Sequence, residues 1–278
     1  MEVYALSRNI SGSSKAIALQ GDVLDPNAIE QIFSAHTFDA VFHLAAITEH
    51  HAIVDDKAAT FRTNLQGTMN LLESFNRHCN GAVFLYASTG KVYGKTNEMP
   101  ITERAYANPQ NILGKSKRIT EETIELYAVP RNQYLICRIF NIYGEGQKRS
   151  FVIPTVIDQI NSPIITLGNM TDLRDYLYIR DLIDALIACM KHTERFAGVD
   201  YVNIGSGVPA NVADIVHIVE ELVGKKLLVT LDAGRLRSDE TPVEFCSNRK
   251  LSELTGWKAQ YSLREGIEST LKREGAIT

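Results

Sequence analysis

The sequence predicts an α/β protein built around a doubly wound parallel sheet. Short apolar runs alternate with helical patterns over the first two thirds of the chain. Each run is almost continuously apolar, which is typical of strands covered on both faces. The runs lie at residues 2–6, 16–19, 39–46, 82–88 and 134–144. Because helical segments separate them, the strands should be parallel and joined by right-handed crossovers.

The segments between these runs carry signals for helices. Residues 25–35 open on Asp25 and Pro26, a capping side chain followed by a proline in the first turn. Residues 62–78 and 113–128 each repeat side chains every three or four positions. These stripes are Leu65, Met69, Leu72 and Phe75 in the first segment, and Ile119, Thr123 and Leu126 in the second. All three segments are therefore predicted to be crossover helices.

The alternation becomes less regular after about residue 150. Helical patterns follow at residues 150–160, 181–192, 212–224 and 263–274. Asp181 is in position to cap one of them. We predict a core of residues 1–150 and a smaller C-terminal α/β lobe of residues 151–278, from which a segment of about 175–205 returns to the core.

Composition excludes several classes of protein. The chain has 278 residues, is 45% hydrophobic and carries a formal net charge of -4. Slight acidity without a long basic run argues against nucleic acid as a partner. No apolar run approaches the ~20 residues that span a bilayer, and the N-terminus lacks the pattern of a signal peptide. We therefore expect a cytoplasmic protein that does not bind membranes.

Cysteine and histidine spacing does not favour a metal site or a disulfide framework. The four cysteines are scattered and form no CxxC pair, so they are expected to be reduced, buried thiols. His43, His50 and His51 have no cysteine or carboxylate partner at ligand spacing. We expect no metal, and we expect His43 to be a buried strand residue.

The start of the chain lacks a feature that dinucleotide-binding sheets normally have. Such sheets begin with a strand, a glycine-rich turn and a helix whose N-terminus holds the pyrophosphate. The first 40 residues contain only two glycines, Gly12 and Gly21, and no GxGxxG pattern. The run at 2–6 therefore matches the second strand of such a sheet, and the missing first strand would be central. We expect a truncated or mis-started chain; the alternative is a rearranged, cofactor-free fold in which another strand fills the place.

Several motifs together resemble one known family. In chain order they are GDVLD (21–25), HLAA (43–46), NLQGTMNLLE (64–73), ASTGKVYG (87–94), RIFNIYGEGQ (138–147), RDYLYIRDLIDAL (174–186), NIGSG (203–207) and LTGWKAQYSLREGI (254–267). This order resembles the extended short-chain dehydrogenase/reductases, specifically the nucleotide-sugar epimerases, 4,6-dehydratases and 4-keto reductases. The resemblance covers residues 2 to about 272 and implies a Rossmann-like core without its first strand and glycine-rich loop.

The resemblance implies a nicotinamide cofactor, NADP or NAD, if the missing N-terminal segment exists, and otherwise none. It places Asp22 and Val23 at the adenine ring, and Lys117 at the nicotinamide ribose. The residues expected to pack on the cofactor after the 39–46 strand are Leu44, Ala45 and Ala46. Arg8 stands where an NAD enzyme has an acid and would suit a 2′-phosphate, which favours NADP; its alternative is a surface arginine.

The resemblance also implies catalytic and substrate-binding residues. Thr89 matches the catalytic Ser or Thr and would bond the sugar 4-oxygen, while Lys117 would lower the pKa of a neighbouring phenol. The substrate contacts implied for a nucleotide-diphosphate sugar are Thr89, Asn141, Arg174 and Arg237. Four of these residues have a simpler alternative: Thr89 caps a strand end, Lys117 is solvated, Arg174 forms a surface ion pair and Asn141 holds a loop.

Two departures from the family pattern bear on activity. Leu113 occupies the tyrosine position of the Tyr-x-x-x-Lys motif, and leucine cannot act as a base. Gly90 and Lys91 stand where dehydratases carry Asp-Glu, so 4,6-dehydration is not supported.

Three hypotheses remain open. The chain is an active epimerase or 4-keto reductase, transferring hydride at sugar C4 and using water or a hydroxyl such as Thr89 as base. Or it is a non-catalytic member that binds a nucleotide sugar. Or it is a dimerisation partner, since family homodimers form a four-helix interface from the helices at 62–75 and 113–128.

Overall fold

The computed structural model describes residues 2–9, 15–235 and 241–277. The strands are β1 (Tyr4–Ser7), β2 (Ile17–Gln20), β3 (Ala40–His43), β4 (Val83–Thr89), β5 (Gln133–Ile139), β6 (Asn141–Tyr143), β7 (Ile165–Leu167), β8 (Leu173–Tyr178), β9 (Val199–Ile204), β10 (Pro209–Ala210), β11 (Val229–Leu231) and β12 (Val243–Glu244). The α-helices are α1 (Pro26–Ala35), α2 (His50–Asp55), α3 (Lys57–Phe61), α4 (Gly67–His78), α5 (Ile112–Tyr127), α6 (Val152–Asp158), α7 (Ile179–Lys191), α8 (Val212–Val223), α9 (Arg249–Thr255) and α10 (Leu263–Arg273). No helix in the described ranges is long and apolar enough to cross a membrane.

Two sheets contain the strands of the first 150 residues other than β6. A four-stranded sheet has the order β3-β4-β5-β9, with β3 parallel to β4. A separate two-stranded parallel sheet joins β1 to β2, with Tyr4 opposite Ile17. The predicted α/β class with parallel strands is confirmed.

The chain divides into two compact units. One contains Met1–Ser88, Ile112–Ile136 and Phe196–Asp200, and the other contains Thr89–Asn111, Cys137–Arg195 and Tyr201–Thr278. The predicted boundary at residue 150 stays a prediction.

Burial differs between β4 and the strands that precede it in the chain. Residues 83–86 of β4 are fully buried, as the sequence predicts. In contrast, β1 alternates between half-buried and exposed residues, β2 is mostly exposed, and Phe42 of β3 is 36% exposed. The prediction that all these runs are covered on both faces is wrong for β1, β2 and β3. In the described part of the chain all three are edge strands, since β3 ends its sheet and β1 and β2 form a sheet of two strands, and edge strands are less covered than the central β4.

Helix α1 begins as its sequence predicts. The Asp25 Oδ1 atom accepts hydrogen bonds from the backbone N–H groups of Asn27 and Ala28, at 3.0 and 3.2 Å. Satisfying these otherwise unpaired donors is what a capping carboxylate contributes.

Asp181 does not cap its helix. Helix α7 begins two residues earlier, so Asp181 lies in its first turn and is fully buried. Its carboxylate accepts the N–H groups of Gln260 and Tyr261, at 2.9 and 3.1 Å. The cap prediction is wrong because this side chain holds the segment before α10 instead.

The apolar stripe predicted for α5 faces outward. Ile119 is 41% exposed and Leu126 is 85% exposed. The buried face of this helix is mostly polar and consists of Gly114, Ser116, Lys117, Thr120, Glu121 and Ile124. A polar buried face requires hydrogen-bond partners inside the first unit, and these partners build the site described next.

The second unit has its own apolar core. Strand β8 lies between β10 and β12 and also pairs with β6. Ile153 from α6, Ile215 and Val219 from α8, and Ile267 and Leu271 from α10 are buried in one cluster beside it. This core packs on β8, the strand that carries Arg174.

Candidate active site

Lys117 is buried at the carboxyl end of β4. Its side chain belongs to α5 and the residue is only 3% exposed. The Nζ atom donates a hydrogen bond to the Ala87 carbonyl oxygen at 2.6 Å and lies 4.6 Å from the centroid of the Tyr86 ring. Burial lowers the pKa of the amine to about 7, and the negative charge of Glu121 partly offsets this by raising it. Such an amine can bind or release a proton near neutral pH.

The residue one helical turn before Lys117 has no ionisable group. Leu113 is half-buried, and its carbonyl accepts the Ser116 hydroxyl at 2.8 Å. The neighbouring phenol of Tyr86 is fully buried, and burial raises its pKa far above the usual value. Tyr106, in the second unit, is 82% exposed. The Tyr86 phenol therefore stays protonated near neutral pH and cannot serve as the base expected at position 113.

Asn64 links the segment after β3 to α5. It lies in the π-helical turn Arg62–Gln66 and is 1% exposed. Its amide donates to the Ile47 carbonyl at 3.1 Å and to the Ser116 hydroxyl at 3.2 Å, and its Oδ1 accepts the Ile47 N–H at 2.8 Å. From the sequence, Asn64 is only the first residue of the NLQGTMNLLE motif. No local pattern shows which backbone segment its amide will hydrogen-bond.

The Asn64 backbone extends this network. Its carbonyl accepts the hydroxyl groups of Thr68 and Thr120, at 2.7 and 3.2 Å. The Thr68 hydroxyl also lies 2.9 Å from His43 Nε2. Burial, followed by the charge of Lys117, lowers the pKa of His43 to about 3, so this ring is neutral. The expectation that His43 is a buried strand residue is confirmed.

The residues predicted to pack on a cofactor after β3 are accessible in the first unit. Leu44 is 58% exposed, Ala45 is exposed and Ala46 is half-buried. They lie between β3 and Ile47, the residue that Asn64 holds. Arg8, just beyond β1, is also exposed. Their contact with a cofactor stays a prediction.

The predicted adenine-binding turn is anchored on α4. Asp22 accepts the Leu24 N–H at 2.9 Å, and the Val23 carbonyl accepts the Asn70 amide at 2.8 Å. A Cβ atom added at Gly67 would lie 2.7 Å from the Val23 side chain. Glycine at this position therefore allows the turn to approach the helix closely.

In the second unit, Thr89 is followed by a tightly packed turn. The Thr89 hydroxyl accepts the Lys91 N–H at 3.3 Å, and Lys91 Nζ pairs with Glu244 Oε2 at 2.8 Å. A Cβ atom at Gly90 would lie 3.0 Å from the Phe140 ring. Packing thus explains the glycine at a position where dehydratases carry aspartate.

Arg174 lies close to this turn in the same unit. It is 5% exposed and pairs with Asp172 at 2.9 Å, so the ion pair is buried rather than superficial. Arg174 stands opposite Glu244 in the β8–β12 pair, which connects it to Lys91. Its binding to substrate stays a prediction.

The remaining predicted substrate residues have less structural support. Asn141 begins β6, is half-buried and stands opposite Tyr176 of β8. Arg237 lies outside the described residues. Within the ranges that are described, no group of three or more histidine, cysteine, aspartate or glutamate residues could hold a metal ion.

Known proteins resemble this chain over most of its length. The family model for GDP-mannose 4,6 dehydratase matches residues 3–270. GDP-6-deoxy-D-mannose reductase of Pseudomonas aeruginosa is 30% identical over 260 residues, which are 90% of this chain and 84% of that protein. A UDP-glucose 4-epimerase of Pisum sativum is 28% identical over 291 residues, covering 95% of this chain and 82% of that protein.

Solved structures agree with these relatives. RMD from Pseudomonas aeruginosa complexed with NADPH has a TM-score of 0.85 and 27% identity, with 96% of this chain and 93% of that chain covered. UDP-glucose 4-epimerase of Thermotoga maritima with UDP-glucose has a TM-score of 0.87 and 25% identity, with 99% and 92% covered. The fold is therefore the Rossmann-like fold of these enzymes. The chain belongs to the GDP-mannose 4,6-dehydratase family, among the nucleotide-sugar epimerases and dehydratases of the extended short-chain dehydrogenase/reductases.

Proposed function

We propose that this chain modifies a nucleotide-diphosphate sugar by hydride transfer at sugar C4, as an epimerase or a 4-keto reductase. The observation that carries the proposal is the buried Lys117 amine at the carboxyl end of β4, where ligands bind in this architecture. A reductase and an epimerase among its relatives support the substrate class.

Described residues would suit the two nucleoside ends of a nicotinamide cofactor. Lys117 and the segment of residues 44–46, which ends beside Ile47, would hold the nicotinamide riboside, and Asp22 with Val23 would border the adenine. When bound, the nicotinamide would supply hydride chemistry. NADP is preferred over NAD because Arg8, which is exposed just after β1, would suit a 2′-phosphate.

For the pyrophosphate that joins the two nucleosides, the described residues offer no binding site. The N-terminus of α1 is already capped by the Asp25 carboxylate, which occupies its N–H groups and repels an anion. The first 40 residues contain no GxGxxG pattern. We therefore propose no pyrophosphate contact among the described residues.

Water elimination is not part of the proposed reaction. A 4,6-dehydratase needs an acid and a base beside its catalytic hydroxyl. Here Gly90 packs on Phe140, and the Lys91 amine is paired with Glu244. Neither position offers a free carboxyl group.

Leu113 supports a second candidate, a member of the family that binds a nucleotide sugar without turning it over. The exposed side chains Ile119 and Leu126 on α5 would suit the four-helix homodimer interface, either with a second copy or with a catalytic homologue. For both candidates we expect a cytoplasmic protein.

One experiment separates the two candidates. The purified chain is incubated with UDP-, GDP- and dTDP-sugars, with and without NADP(H) or NAD(H), while NMR follows the sugar and a thermal shift follows binding. Turnover supports the enzyme, and stabilisation of about 2.7 kcal/mol at 100 times the Kd without turnover supports the binding protein. If neither turnover nor stabilisation is observed, both candidate functions are contradicted.

A further inference from the structure

Building on the proposed function, we propose that Lys117 Nζ itself exchanges the proton with the sugar oxygen, in place of the missing phenol. In the oxidative direction, the sugar O–H bond breaks and an N–H bond forms on the neutral amine. When bound, an oxidised nicotinamide would accept the C4 hydride, and the electron pair left on oxygen would then form the carbonyl. In the reductive direction, the ammonium returns the proton to the carbonyl oxygen.

The position of the amine suits this role. Leu113 and Lys117 are four residues apart on α5, so they lie on one face of the helix. Nζ reaches the carbonyl of Ala87, which is two residues before Thr89 in β4. The amine therefore contacts β4 within the first unit, near the carboxyl end of that strand.

The hydrogen bonding of the amine leaves its proton-accepting site available. The Ala87 carbonyl accepts one N–H, which fixes the direction of the nitrogen without adding a negative charge. The opposing carboxylate, Glu121, accepts the Ser88 hydroxyl at 2.6 Å and pairs with Arg118 at 3.2 Å. Because Glu121 is engaged by these two groups, its ability to hold Lys117 in the ammonium form is reduced.

The groups around Lys117 keep their own charge state near neutral pH. Burial lowers the pKa of His43 to about 3, so it stays neutral, and burial raises the pKa of Tyr86, so it stays protonated. The Lys117 amine, with a pKa of about 7, changes protonation in this range. A base with a pKa near the working pH is the most effective one.

The first measurement does not depend on turnover. Protein labelled with ¹³C-lysine is titrated by NMR, and the Lys117 signal is assigned by its loss in Lys117→Arg. The matched control is Lys115→Arg, an exposed lysine on the same helix. We expect a lysine that titrates at about 7 in the wild type and in the control, and that is missing from Lys117→Arg.

The second measurement is the pH profile of the wild type and its variants. Oxidation needs the neutral amine and should fall below about pH 7, whereas reduction needs the ammonium and should fall above it. Lys117→Arg keeps the charge but cannot accept a proton, so kcat should drop at least about 100-fold while KM for the sugar changes little. Adding Leu113→Tyr to Lys117→Arg should restore part of kcat, because the phenol is then the base beside a permanent cation.

Each alternative outcome is distinct. If the wild type is active but its Lys117 titrates above about 9, the role proposed for Lys117 is overturned while the proposed function stands. A folded Lys117→Arg that keeps its kcat and pH profile would have the same consequence. A wild type that turns over no sugar overturns the proposed function, and the assignment with it, whatever the titration shows.

Discussion

Replacing Asn64 by alanine should destabilise the first unit more than any surface substitution. The side chain makes hydrogen bonds to the Ile47 N–H, the Ile47 carbonyl and the Ser116 hydroxyl. At about 1 kcal/mol of net stability for each hydrogen bond, the expected loss in the free energy of unfolding is about 3 kcal/mol. The loss should be this large because the residue is 1% exposed, so water cannot readily replace the lost partners.

Urea unfolding, followed by circular dichroism, measures this loss. The control is Thr123→Ala, which removes a hydroxyl that donates to the Ile119 carbonyl at 2.8 Å on the outer side of α5. This control should stay within about 0.5 kcal/mol of the wild type. A folded Asn64→Ala that loses less than about 1 kcal/mol with an unchanged m-value would refute the role assigned to this network.

Three further substitutions test other parts of the structure. Hydrogen bonding, chiefly to His78, lowers the pKa of Glu30 to about 2, so stability present at neutral pH should be lost as the pH falls from about 4.5 to 2. Glu30→Gln should flatten this acid dependence of the urea midpoint; an unchanged slope would contradict it. Gly90→Ala should cost about 1–3 kcal/mol in urea unfolding because its Cβ crowds Phe140, and a neutral result would mean the ring moves freely. Phe42→Thr should lower the free energy of unfolding by less than about 1.5 kcal/mol and reduce the binding of a dye that recognises apolar surface, because this ring is partly exposed on β3. A loss above about 3 kcal/mol would show that the ring is buried.

The sequence predicts elements well where the signal is local. The α1 cap follows from Asp25 and Pro26, which act on their own helix turn. The strands follow from continuous apolar runs, although β3 ends at His43, three residues earlier than the run. The family resemblance places Lys117 on the helix after β4, and the structure shows it in α5 with its amine bonded to the Ala87 carbonyl.

Features that depend on distant neighbours could not be predicted. The exposure of Phe42 reflects an edge of β3 without a neighbouring strand in the described chain, which composition alone cannot reveal. Asp181 has the residue type of a cap, but its carboxylate holds a segment about 80 residues away. The stripe of Ile119, Thr123 and Leu126 on α5 faces outward because the buried face, which includes Lys117, is polar and gives no apolar period.

Lys117 makes the fold less stable than an apolar side chain would, which argues that its presence serves chemistry. Burial lowers its pKa from 10.5 to about 7, so unfolding takes up a proton between these values. The folded state therefore gains stability relative to the unfolded state as the pH rises from about 7 towards 10.5. Lys117→Met fills similar space without an ionisable group and should lack this gain.

Urea midpoints of the wild type and Lys117→Met, compared at intervals from neutral to alkaline pH, test this expectation. The methionine variant should be the more stable protein near neutral pH, and its advantage should shrink as the pH rises. Lys115→Met, which alters an exposed lysine on the same helix, controls for the loss of a charge. An advantage that does not change with pH would mean that Lys117 is charged in the folded protein, and the amine could then not accept a proton from a sugar.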